Sequence, residues 1–217
     1  MSQTILSSQN KSTRSRKSNI FYTHIGKYIF DALIALTVLI LTSPLFLIFA
    51  IMIKRESEGP VFFKQDRVGK NGKIFKIFKF RTMTVMDNGH HIQQAKRGDA
   101  RITKIGAFLR MTSLDELPQI FNVLLGEMSI VGPRPHAVAH DKEFSERVPN
   151  YTHRHNVLPG ITGYAQVKGY RGETDTDNKL LGRIKYDLKY ESKLSFWLDL
   201  KILFKTIWAV IRPQNAY

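Results

Sequence analysis

Hydrophobic positions fall into one long block, a strand-like pair, and a series of helical faces. Residues 1–18 carry almost no apolar side chains and are rich in Ser, Gln, Asn, Lys and Arg, which predicts a disordered basic tail over residues 1–20. Residues 29–53 are apolar except at Asp31, Thr37 and Thr42-Ser43-Pro44. A helix over 21–55, at about 1.5 Å per residue, is long enough to cross a hydrocarbon core of about 30 Å. Pro44 removes a backbone donor and predicts a break there, with Ser43 placed to bond a carbonyl that the kink loosens.

Beyond Lys54 the pattern shortens. Val61-Phe-Phe-Lys64 and residues 74–80 are strand-like around Gly69-Lys-Asn-Gly72, a turn signal, and predict a hairpin ending in Lys79-Phe-Arg-Thr-Met83. Residues 87–100 have no period and predict a loop. Helical spacing returns at Ile102, Ile105, Phe108 and Leu109, and again from Leu114 to Leu125, with Gly126 as a stop. After a Pro- and Gly-punctuated stretch, Asp177 is placed to cap a helix whose Leu181, Ile184 and Leu188 share a face. Residues 196–212 are apolar apart from a stripe of Asp199, Lys201, Lys205 and Thr206. They predict either an interfacial helix, with Trp197 and Trp208 at headgroup depth, or a terminal core helix. The expected fold is α+β and mostly helical: a compact domain over 56–212, a short tail at 213–217, and the membrane helix in front.

Charge changes the picture of the long apolar block. The 217 residues carry 33 Lys and Arg against 18 Asp and Glu, a formal net charge of +15, which suits anionic partners such as lipid headgroups, phosphorylated small molecules or nucleic acid. Lys11, Arg14, Arg16 and Lys17 suit anionic lipid or mere solubility. Basic residues flank the block on both sides: His24 and Lys27 before it, Lys54 and Arg55 after it. Basic flanks mark the cytoplasmic side of a span, so two of them favour a broken, re-entrant helix that returns to the side it entered; a kinked span is the alternative. The block starts too late and runs too long for a signal peptide. With no cysteine there is no disulfide and no Cys-containing zinc site.

The candidate chemistry sits at Asp115-Glu116. Ser113 and Glu116 have capping-box spacing, and Pro118 fits a first helical turn, so the pair is expected at a helix N-terminus. Acidic residues are ordinary there, because they favour the helix dipole. Their surroundings add chemistry: adjacent carboxylates suit a magnesium ion that bridges to phosphates, a carboxylate can attack phosphorus, and Lys79, Arg81, Arg110 and Arg134 are available to neutralise phosphate oxygens. Each cation could instead be a solvated surface charge, although Arg134 is held between two prolines. Glu173, Asp175 and Asp177 fit a solvated loop, and His90-His91 and the His153/His155 pair fit surface histidines.

These residues carry a resemblance. Ser43-Pro44, Gly59-Pro-Val-Phe-Phe-Lys-Gln-Asp-Arg-Val-Gly69, Lys79-Phe-Arg-Thr-Met83, Leu114-Asp-Glu-Leu-Pro-Gln119, Gly126-Glu-Met-Ser-Ile-Val-Gly-Pro-Arg-Pro135 and Pro159-Gly-Ile-Thr-Gly163 occur in this order. With them the chain resembles the bacterial sugar transferases, the monotopic phosphoglycosyl transferases, over residues 28–211. The resemblance implies transfer of a sugar-1-phosphate from a nucleotide sugar to a polyprenyl phosphate. Asp115 would be the nucleophile that expels UMP and holds the sugar phosphate, Glu116 would help bind Mg2+ and assist proton transfer, and Arg110 and Arg134 would lie around the phosphates. It also implies a re-entrant anchor in the bacterial inner membrane with the catalytic domain on the cytoplasmic face.

Arg134-Pro-His-Ala-Val-Ala-His140 and Gly169-Tyr-Arg-Gly-Glu-Thr-Asp-Thr176 are similar to members that pass glucose-1-phosphate from UDP-glucose to undecaprenyl phosphate in exopolysaccharide synthesis. Tyr164 stands where many relatives carry Trp, and Lys168 where Asn is usual, which keeps UDP-galactose and UDP-N-acetylhexosamines open as donors. The chain resembles the family's minimal form, without the extra membrane helices and second domain of larger relatives. An oligomer stays open. The reading from another class is a basic, membrane-tethered scaffold or nucleic-acid-binding protein; it leaves the acidic pair and the lipid-facing segments unexplained, so no nucleic acid is expected.

Overall fold

The computed structural model describes residues 22–84, 99–172 and 176–211. The basic tail, His90-His91, Glu173 and Asp175 lie outside them. One π-helical turn, Tyr22–Gly26, leads into α1, Lys27–Glu56, 30 residues of one continuous helix with Pro44 inside it. Helical structure runs on through Pro44, where the sequence predicts a break. Proline has no N–H for the carbonyl four residues back, that of Ile40, and Ser43 Oγ donates to that carbonyl at 2.9 Å. Thr37 and Thr42 donate to Leu33 O and Val38 O, so these hydroxyls are satisfied within the helix.

α1 packs along one stripe. Lys27, Asp31, Ala35, Phe49 and Ile53 are buried, while Leu33, Ile40, Leu41 and Leu47 are exposed. By length and composition it is the one described helix able to cross a membrane. Both of its ends are tied to the rest of the protein. At the start, Lys27 Nζ pairs with Asp199 at 2.7 Å, and Asp31 Oδ1 accepts from Ile130 N at 3.2 Å. At the end, the Glu56 carboxylate accepts from the free amides of Lys104 and Ile105 at 2.7 and 2.9 Å and so caps the next helix.

The expected hairpin forms from β1, Phe62–Val68, and β2, Ile74–Phe80, paired antiparallel from Phe62↔Phe80 to Val68↔Ile74. Its turn needs positive φ at Asn71 and Gly72. α2, Lys104–Thr112, follows, with Thr103 as its N-cap, then a 3-10 turn, Leu114–Glu116, and α3, Gln119–Leu124, ended by Gly126 at φ +74. β3, Ser129–Val131, pairs in parallel with β4, Gly160–Thr162. Their backbones approach so closely that a Cβ on Gly160 would lie 2.0 Å from Gly132 N.

α4, Val138–Arg147, and a 3-10 segment, Tyr151–Asn156, lie between β3 and β4, while α5, Asp177–Lys193, and α6, Phe196–Ile211, complete the fold. The main core joins Ala35 of α1, Phe75 and Ile77 of β2, Ile120 and Val123 of α3, β3, Tyr190 of α5 and Ile202 of α6. The result is mostly helical with a few short strands.

Three helix details differ from the sequence pattern. Thr176, not Asp177, caps α5. Leu181 is exposed, and the buried face of α5 is Leu180, Arg183, Ile184, Asp187 and Tyr190, because two charged residues that look solvated in sequence have partners elsewhere in the fold. Asp199 is not on a wet stripe: it is fully buried and accepts from Tyr22, Lys27 and Tyr190 at 2.6, 2.7 and 2.7 Å. Trp197 and Trp208 do project outward.

Candidate active site

The acidic pair sits on a reversal between two helices. α2 ends at Thr112, and Ser113 takes a left-handed conformation, φ 60. Leu114–Glu116 then make a single 3-10 turn before Pro118 leads into α3. The expected capping box does not form, since Ser113 makes no side-chain cap; its Oγ accepts from Arg171 at 2.7 Å instead. Both carboxylates point inward, with Asp115 9% exposed.

The two acids have different partners. Glu116 is held from both sides: Lys79 Nζ donates to Oε1 at 2.7 Å, Arg134 Nη1 donates to Oε2 at 2.9 Å, and Arg134 Nη2 reaches Oε1 as well. This fork-to-carboxylate geometry is a strong form of ion pair. Asp115 has only a long ion-pair contact among the described residues, to Lys79 Nζ at 3.9 Å.

Their ionisation splits accordingly. Burial pushes the Asp115 carboxyl up, and Lys79, the leading opposing influence, does not cancel the rise. Burial pushes Glu116 up too, but Arg134 and Lys79 outweigh it and hold the acid well below the usual range. Two adjacent carboxylates with separated pKa values are suited to separate tasks.

The sequence-predicted cations divide. Lys79 and Arg134 meet at Glu116, and Arg110, in the last turn of α2, is near enough to lower the Asp115 pKa. Arg81 is not at the dyad. It is buried, 2% exposed, and its Nη2 donates to Ser57 O and Ser57 Oγ at 2.6 and 2.9 Å, closing the end of α1. β2 stops at Phe80, so the alternation that would place Arg81 beside Lys79 has already ended.

Among the described residues no three His, Cys, Asp or Glu side chains gather as a metal site. A cation at the dyad would rest on two carboxylates plus ligands brought by substrate, a coordination that suits magnesium. The donors are all oxygen, as such an ion prefers, with both Glu116 oxygens already accepting from Lys79 or Arg134.

Two positioning residues were not evident from sequence. Asn122 of α3, fully buried, accepts from Phe78 N at 3.0 Å and donates to Lys76 O at 2.8 Å, fixing β2, and so Lys79, against the dyad. Its signal was an amide which, like Gln119, lies within an otherwise apolar helical run. Arg154, flanked in sequence by histidines, is buried: it donates to the Arg134 carbonyl at 2.6 Å and pairs with Asp187 at 2.8 Å. Of those histidines, His153 is exposed, whereas His155 is half-buried with Nε2 3.1 Å from Asp141, so the surface expectation fails for His155.

Comparison with known proteins identifies the family. The family model described as bacterial sugar transferase matches residues 22–213. The chain belongs to that family. This sugar transferase is 52% identical over 193 residues to the UDP-glucose:undecaprenyl-phosphate glucose-1-phosphate transferase of Klebsiella pneumoniae, across 89% of this chain and 42% of that protein. It is 47% identical over 193 residues to the Caulobacter vibrioides protein of the same name, across 89% and 72% of the two chains. It is also 45% identical over 187 residues to the UDP-N-acetylgalactosamine-undecaprenyl-phosphate N-acetylgalactosaminephosphotransferase of Aeromonas hydrophila, across 86% and 44%. The chain thus spans less than half the length of the Klebsiella and Aeromonas relatives.

Proposed function

We propose that this sugar transferase moves a sugar-1-phosphate, glucose-1-phosphate first among the candidates, from a UDP-sugar to undecaprenyl phosphate, as the first membrane step of exopolysaccharide synthesis. The observation that carries the reading is the split dyad: a buried, loosely paired Asp115 beside a Glu116 held by two cations. A carboxylate that burial makes more basic is a better nucleophile. Asp115 attacks the sugar-proximal phosphorus, the bond from that phosphorus to the bridging oxygen breaks, and its electron pair leaves with UMP. An oxygen of undecaprenyl phosphate then attacks the same phosphorus, and the Asp115 carboxylate leaves.

Lys79 and Arg134, preset on Glu116, neutralise phosphate oxygens as charge moves to the leaving group, and Arg110 adds positive potential beside Asp115. Asp115 and Glu116 would hold a magnesium ion, which when bound supplies further charge neutralisation at the phosphates.

The same reading places the chain on the cytoplasmic face of the bacterial inner membrane, against anionic lipid. Both ends of α1 are tied to one folded body, by Lys27 to Asp199 and by Arg81 to Ser57, which supports entry and exit on one side. The exposed apolar surfaces of α1 and α6 supply the lipid contact.

Intact-protein mass after incubation with magnesium and a UDP-sugar, without lipid acceptor, tests the mechanism. A sugar-phosphate adduct is expected on wild type and not on Asp115→Asn, and undecaprenyl phosphate should discharge it. No adduct with any UDP-sugar on folded protein would refute the covalent route. Because a relative of 45% identity is named for N-acetylgalactosamine, UDP-glucose, UDP-galactose and both UDP-N-acetylhexosamines are compared, and the donor that loads fastest identifies the sugar.

A further inference from the structure

The loop that carries Arg134 is held by guanidinium groups. Arg154 Nη2 donates to the Arg134 carbonyl at 2.6 Å, Arg67 Nη1 donates to the Pro135 carbonyl at 3.1 Å, and Arg183 Nη1 lies 3.4 Å from His136 Nε2. The backbone adds a bridge between Arg67 and Ala137 and a bond from Val68 N to His136 O. Three successive loop residues are therefore each met by a different arginine.

These arginines are not equivalent. Arg154 has a counter-charge of its own in Asp187. Arg67 forms no ion pair with a carboxylate among the described residues. Its Nη2 donates to the neutral Gln65 amide at 2.5 Å, and its Nε is buried without a partner. Burial first, then the neighbouring Arg134, pull its pKa down to about 10, while Glu116 acts in the opposite direction. At neutral pH the group is still charged. A permanent cation with no ion pair of its own among the described residues thus stands beside the loop residue that grips Glu116.

Like charges this close raise each other's energy unless an anion lies near them. Glu116 supplies one such anion. A donor diphosphate would bring more negative charge to the same place, and would relieve Arg67 as well as Arg134. We propose that Arg67 is a positioning residue of the donor site: its charge and its bond to Pro135 keep Arg134 turned toward anions and strengthen diphosphate binding, without contact with the reacting atoms. The proposal rests on the reaction described above.

Gln65 provides the test. Gln65→Glu keeps Arg67, its bond to Pro135 and the local volume, but gives Arg67 a carboxylate of its own. UDP with magnesium is titrated calorimetrically into the full-length, detergent-solubilised protein, as wild type, Gln65→Glu and Arg67→Gln. The expected result is about tenfold weaker UDP binding by Gln65→Glu, with a melting temperature at or above that of wild type. Arg67→Gln, which also loses the hold on Pro135, should bind UDP at least as weakly; if it does not fold, Gln65→Glu decides alone. Unchanged UDP affinity in Gln65→Glu would overturn the proposal and leave Arg67 a structural residue, with the transferase reading intact. Wild-type protein that neither binds UDP nor forms an adduct with any UDP-sugar would instead remove the donor reading, and the role of Arg67 with it.

Discussion

Asp115 and Glu116 are neighbours in the chain but have opposite effects on stability. The Asp115 pKa is raised by burial, so the fold favours its neutral form, and its charge at neutral pH costs stability. Asp115→Asn should therefore abolish transfer while raising the melting temperature, by roughly 2–4 °C for each kcal/mol regained. A variant that is both inactive and less stable would contradict this account.

The Glu116 pKa is depressed, so the acid stabilises the fold above its unfolded value near 4.5 and loses that contribution as pH falls through the lower folded value. Glu116→Gln should cost roughly 2 kcal/mol or more at pH 7. Its melting temperature should converge on that of wild type as the pH is lowered below that range. The dyad was legible in sequence as an adjacent acidic pair inside a run that resembles a known family, although its capping-box spacing forms no cap. Asn122 and Arg154 were not, because their partners, Phe78, Lys76, Arg134 and Asp187, are 20 to 46 residues distant.

At the scale of elements, the hairpin was readable from alternation and a Gly-flanked turn, both local signals. The continuity of α1 through Pro44 was not, because it depends on a hydroxyl standing in for a missing amide. The register of α5 was hidden for another reason: Arg183 and Asp187 are buried, and their partners belong to other elements. Arg81 shows how such a residue links elements, since it joins the end of β2 to the last turn of α1. Arg81→Met should lower stability by roughly 1–3 kcal/mol, the cost of leaving the part-buried Ser57 carbonyl without its donor. The donor KM of the folded fraction should stay near that of wild type; a selective rise in KM would return Arg81 to the substrate site.

For the whole molecule, the proposed same-side topology makes a direct prediction. The chain has no native cysteine, so single cysteines at Ser18 and Glu58 report without background. A membrane-impermeant maleimide should label both only in inverted inner-membrane vesicles. Labelling of Ser18→Cys in right-side-out vesicles would mean that α1 crosses. The attachment of α1 to α6 is equally testable. Asp199 accepts from Tyr22, Lys27 and Tyr190, and Asp199→Ala leaves Lys27 charged and buried beside Asp31 alone. The expected loss is roughly 3–5 kcal/mol, seen as a lower melting temperature and faster proteolysis.

The lock between Lys27 and Asp199 also sets an order of events during synthesis. The two residues are 172 positions apart, and at roughly 5–20 residues per second a ribosome needs about 10–30 s to make that stretch. Throughout that interval the newly made first helix has no Asp199 with which to neutralise its lysine. Until then Asp31, four residues on, is the carboxylate within its reach, and the start of that helix can take its final, buried place only when Asp199 has emerged.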